Sequence, residues 1–98
     1  MPDARDIRNQ DVDDLLRVLA NMDNEDDIFA LLEDLFTVRE IRETSQRLAV
    51  AQMLAEGKPY SVIGEQTGAS ATTIARVSKC LSYGSGGYEK ALDILNRL

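Results

Sequence analysis

Histidine and tryptophan are absent from this chain, cysteine occurs once and proline twice. Without histidine the usual general base and the commonest metal ligand are missing. The lone Cys80 cannot close an internal disulfide, a usage that fits a reducing cytoplasm. No imidazole is available to activate it, and it falls inside an amphipathic helical pattern. It is therefore read as a buried structural thiol rather than a nucleophile. Carboxylates are plentiful, but no pair is distinguished from a solvated acidic face, so an enzyme is not expected. No run of about 18 apolar residues occurs, which excludes a spanning helix. The opening MPDARDIRNQDVDD is polar and acidic, without the apolar stretch of a signal peptide. The expected location is the cytoplasm.

What the chain does contain is unevenly placed charge. Its 98 residues carry 17 acids and 11 bases, a net of −6. Residues 1–40 hold 12 acids and 4 bases, a net of −8, and residues 41–98 hold 5 acids and 7 bases, a net of +2. The acidity therefore belongs to the first part, and the second is mildly basic. A single domain of this length buries a modest core, so association with a second copy would add stability.

Apolar residues recur at helical spacing almost throughout. Val12, Leu15, Leu16, Leu19 and Met22 make one stripe, and Ile28, Leu31, Leu32, Leu35 and Phe36 another. Asn24, followed by EDD, is a plausible cap between them. TVRE at 37–40 has the form of a capping box and should open a longer helix through Ile41, Leu48, Ala51 and Ala55, closing at Gly57. Pro59 prevents that helix from continuing. Short helices are predicted at about 61–67 and 71–82. After YGSGGY a last helix carries Tyr88, Ala91, Leu92 and Leu95 on one face. The expectation is an all-α chain of about six helices. It is read as one domain over 1–98, with 1–10 flexible, 11–57 a helical dimerisation part, 60–82 a helix-turn-helix and 88–98 the C-terminal helix.

The stretch TGASATTIARVSKCL, residues 67–81, has the pattern of a helix-turn-helix. Gly68 supplies a residue that tolerates positive φ in the turn. Gly64 is small where the second helix should cross the first. Ile63 anchors the first helix, Ile74 and Val77 anchor the second, and Ser70 is a suitable N-cap. The stripe 74, 77, 81 turns Thr72, Thr73, Arg76 and Lys79 toward other faces. Threonine can touch a thymine methyl or a phosphate, Ala71 can pack on a methyl, and Arg76 can pair with guanine or phosphate. Ser61 and Gln66 on the supporting helix are candidates for backbone contact. The plain alternative is a helical hairpin with a glycine turn.

TVREIRETSQRLAVAQMLAEGKPYSVIGEQTGASATTIARVSKCL resembles the Trp repressor family, above all its YerC/YecD-type branch, which shares a TGAS-x-x-TI-x-RV block and a YGSGGY-like tail. The resemblance covers roughly residues 30–90. It implies an all-helical intertwined homodimer in which each subunit presents a helix-turn-helix to half of a pseudo-palindromic operator, about 34 Å from the other. It also implies an amino-acid pocket, to which Thr37, Arg47 and Arg76 correspond. Two departures speak against tryptophan in that pocket. Val77 stands where the founding repressor has a glycine that leaves room for the indole, and Cys80 where it has a serine. No cofactor is expected; a different small effector, or none, fits better than tryptophan.

Two further motifs are weak. Asp23, Glu25 and Asp27 mimic the first ligands of an EF-hand loop, but Ile28 replaces its glycine and Asp34 its final glutamate. GSGG at 84–87 follows a helix, not a strand, and lacks a GK[ST] ending. No metal is expected. The function expected is a sequence-specific transcriptional regulator with double-stranded DNA and a second copy as partners, and no membrane. The alternative is a helical protein-interaction module whose acidic N-terminal helices dock a protein.

Overall fold

The computed structural model describes residues 7–98, and among these it is all helix. Six helices follow in order: α1 Gln10–Asn21, α2 Glu25–Leu35, α3 Val38–Ala55, α4 Tyr60–Thr67, α5 Ala71–Tyr83 and α6 Gly87–Arg97. They form two compact units, one ending at Val38 and the other Arg39–Leu98. No helix among the described residues is long and apolar enough to cross a membrane.

In the first unit both helices begin on side-chain caps. Asn9 accepts from the Val12 N–H at 2.9 Å, and Asn24 accepts from Asp26 and Asp27 N–H at 2.9 and 3.2 Å. Acidic residues fill the first turn of each, where the partial positive charge of the helix N-terminus favours them. Arg8 Nε pairs with Asp13 Oδ1 at 2.6 Å. Of the stretch expected to be flexible, residues 1–6 lie outside the described residues, whereas Arg8, Asn9 and Gln10 are engaged in starting α1. Neither α1 nor α2 contains a buried residue. Leu15, Leu16, Val18, Phe29, Leu35 and Phe36 are all exposed.

The second unit holds the core. Val50 and Ala51 of α3, Ile63 of α4, Ala69 of the turn, and Ile74 and Val77 of α5 are buried together, with Met53, Leu54, Leu81 and Tyr88 packed against them. Leu92 of α6 is buried as well. The long helix turns a different edge inward than its periodicity predicts. Val50 is fully buried, while Ala55 is exposed. Val50 and Ala51 are the α3 residues that pack into the cluster with Ile63, Ala69, Ile74 and Val77, so packing and not the stripe as a whole selects the buried positions. Thr37 directly precedes α3, at the N-cap position, with Glu40 in the first turn.

Cys80 corrects the sequence reading: it is exposed. Counting from Val77, positions i+3 and i+4 both lie near the core stripe, and α5 turns the second of them, Leu81, toward the core. Cys80 is left on the flank.

Candidate nucleic-acid interface

α4 ends and α5 begins within three residues, and several hydrogen bonds hold the turn between them. Gly68 adopts φ +76°, a left-handed conformation that a side chain rarely takes, and its N–H bonds the Gly64 carbonyl at 2.9 Å. The Thr67 hydroxyl donates to the Ile63 carbonyl at 2.7 Å and accepts from the Ala69 N–H at 3.1 Å. Ser70 then caps α5, accepting from the Thr73 N–H at 3.1 Å and donating to the Thr73 hydroxyl at 3.1 Å. Gly64 lies under this turn. A Cβ there would meet the Ala69 carbonyl oxygen at 3.4 Å and Ile74 Cδ1 at 3.9 Å. The crossing therefore has room for a methyl group at the limit of ordinary contact.

With Ile74 and Val77 each 1 % exposed, the orientation of α5 is set. At about 100° per residue, Thr72, Arg76 and Lys79 fall at i, i+4 and i+7 along the opposite face, and all three are exposed. No carboxylate among the described residues pairs with Arg76 or Lys79. Ala71 and Ser70 are exposed beside the start of this stripe, and Thr73 is half-buried with its hydroxyl held by Ser70. Tyr83 continues the stripe at i+11 and is 85 % exposed. The sequence reading passed over Tyr83 because it stopped at the predicted helix end, Ser82. The spacing of 72, 76 and 79, carried one turn further, would have found it.

The supporting residues are less unified. Ser61 and Gln66 are both exposed on α4, but five residues apart they stand about 140° round the helix and do not share a face. Gln66 instead lines an open groove of about 400 Å³ between α3 and α4, with Arg42, Ser45, Gln46, Ala49 and Thr67. Gln46 was also absent from the sequence reading. It reaches from α3 to the end of α4, and its role depends on a contact that no local pattern encodes.

The residues of the implied effector pocket are distributed over both units. Thr37 belongs to the first, Arg47 and Arg76 to the second. Arg47 is exposed and its guanidinium reaches Thr44 Oγ1, 3.4 Å away on the same helix. Val77 is part of the core. Glu25 and Asp27, part of the EF-hand-like series, are in the first turn of α2. Among the described residues no group of three His, Cys, Asp or Glu side chains could hold a metal ion.

The family model of the Trp repressor protein matches residues 10–96. The chain belongs to the Trp repressor family. It is 41 % identical over 87 residues to the uncharacterized protein YerC of Bacillus subtilis, covering 89 % of this chain and 84 % of that one. Among solved structures it is similar to a suspected Trp repressor from Staphylococcus aureus, with TM-score 0.91, 34 % identity, and coverage of 98 % of this chain and 96 % of that one. A TrpR-like protein from Eubacterium eligens matches with TM-score 0.89 at 37 % identity, over 96 % and 97 % of the two chains. The Trp repressor family is one of helix-turn-helix DNA-binding regulators and not of enzymes, and the YerC-type resemblance expected from the TGAS block is met by a relative of that name.

Proposed function

We propose that this Trp-repressor-family protein is a cytoplasmic homodimer that reads a pseudo-palindromic DNA operator through α5, without tryptophan as co-repressor. The observation that carries the reading is the two-sided character of α5. Ile74 and Val77 lock one face into the core, and Thr72, Arg76 and Lys79 stand exposed along the other with no acid among them. Short Ser70, Ala71 and Thr72 at the start of the helix allow close approach to base edges, while Arg76 and Lys79 supply charge-assisted contacts to guanine or phosphate. The segment's local charge favours DNA even though the whole chain is acidic.

The dimer is supported by α1 and α2, which leave Leu15, Leu16, Phe29 and Leu35 exposed within one chain. Covering them with the same helices of a second copy would bury Leu15, Leu16, Phe29 and Leu35 and pair two heads for two half-sites one DNA turn apart. Independence from tryptophan is supported by Val77, whose buried side chain occupies core space that an indole would need.

Titration of purified protein against genomic fragments at two salt concentrations tests the function. A sequence-selective complex that weakens with salt is expected, with the same affinity whether or not tryptophan is added. Absence of a selective complex would favour the other reading, a protein-interaction module. That reading is supported by the acidic surface and exposed apolar side chains of α1 and α2.

A further inference from the structure

A helix leaves its last four carbonyls without partners in its own backbone ladder. At the end of α4 the Gly64 carbonyl takes the Gly68 N–H. The Thr67 carbonyl, on the last residue of the helix, takes its donor from a different element. Gln46 of α3, 21 residues earlier, donates its Nε2 to that oxygen at 3.0 Å in partly buried surroundings. The same amide nitrogen lies 3.8 Å from where a Cβ on Gly68 would stand, so it rests against the turn itself. Thr67 is also the residue whose hydroxyl joins the Ile63 carbonyl to the Ala69 N–H. The carbonyl that Gln46 holds therefore belongs to the junction that ends α4 and directs the chain into α5.

We propose that Gln46 is a positioning residue for the DNA-reading helix, tying the turn to α3 from within the subunit so that α5 is held ready to bind with no small molecule present. This rests on the DNA-reading function proposed above. Gln46 acts through Thr67 and not through contact with DNA. Releasing the tie lets the turn and the start of α5 populate other orientations. Apparent affinity for a specific site then falls by the fraction of molecules still correctly posed. Non-specific attraction to phosphate, which needs no such pose, is unchanged.

The test compares Gln46→Met, which keeps length and loses the donor, with Gln46→Glu, which sets an acceptor against the Thr67 carbonyl. Gln46→Lys restores an N–H donor. The readouts are the ratio of specific to random-sequence DNA affinity, amide exchange at Gly68 and Ala69 in the free protein, and thermal melting as a check on folding. The expected result is a native melt, a loss in the ratio for Met of at most about fivefold, the ceiling that one hydrogen bond sets, a larger loss for Glu, and faster exchange at both amides. Gln46→Lys should recover the ratio, since its added charge raises specific and random binding alike. An unchanged ratio in the Met and Glu variants would overturn the proposal. Should the native protein select no DNA at all, the function proposed above fails instead. Amide exchange still decides the tie, and unchanged exchange in Gln46→Glu would overturn it.

Discussion

The unit ending at Val38 and the unit Arg39–Leu98 are both built from amphipathic helices, yet they use their apolar faces differently. The second buries Val50, Ala51, Ile63, Ala69, Ile74 and Val77 against one another, and Leu92 besides. The first buries nothing in either helix and leaves Leu15, Leu16, Val18, Phe29 and Leu35 exposed. Charge divides along nearly the same line, −8 over residues 1–40 and +2 over 41–98. The contrast separates two tasks. The C-terminal unit makes its own core and so can hold a surface in a fixed pose, which a reading helix needs. The N-terminal unit leaves apolar side chains exposed and carries an acidic surface that DNA repels, which suits the proposal that these helices serve association.

That division can be broken experimentally, beginning with the largest effect. Ile74→Ala removes a side chain 1 % exposed in the second unit, and should cost about 2–5 kcal/mol of stability in urea denaturation. Leu16→Asp, on an exposed site of α1, should act on association. Leaving a leucine uncovered forfeits about 1.5–3 kcal/mol at the dimer interface, seen by light scattering as a shift toward monomer and by a denaturation midpoint that depends on protein concentration. A loss independent of concentration would show that α1 serves its own subunit instead. Arg76→Ala should weaken a cognate operator by about 1–3 kcal/mol if the guanidinium reads a base. If it touches only phosphate, binding should weaken alike on every sequence and the salt slope flatten by about one unit. Ser70→Ala removes the cap of α5, and Asn24→Ala that of α2. Each should cost about 1 kcal/mol by thermal melting, with the Asn24 loss fading on dilution if α2 is stabilised by a partner.

Much of this organisation is legible in the residues alone, because it rests on local chemistry. Asn24 and Ser70 cap the helices that their side chains can reach, and Gly68 takes the positive φ that the turn demands. The pair Ile74 and Val77 fixed the buried face of α5, and with it the exposed stripe of Thr72, Arg76 and Lys79. What escaped was set by packing between elements. The choice of Val50 over Ala55 on α3 depends on where neighbouring helices cross, which periodicity does not encode, whereas the stripe 74, 77 and 81 already turned Leu81 inward and left Cys80 on the flank. Gln46 shows the limit most clearly. Nothing near it in sequence marks it out, and its partner Thr67 is 21 residues away. Tyr83 was a different kind of omission, since its spacing was readable and only the assumed helix end concealed it.

The most direct measurement is selection of bound DNA from a random pool by the purified protein, followed by the stoichiometry of the complex with the enriched sequence. The division of labour between the two units predicts an inverted repeat with half-site centres about 10–10.5 base pairs apart, bound by two chains. Enrichment of a single unrepeated site occupied by one chain, or no enrichment at all, would contradict it.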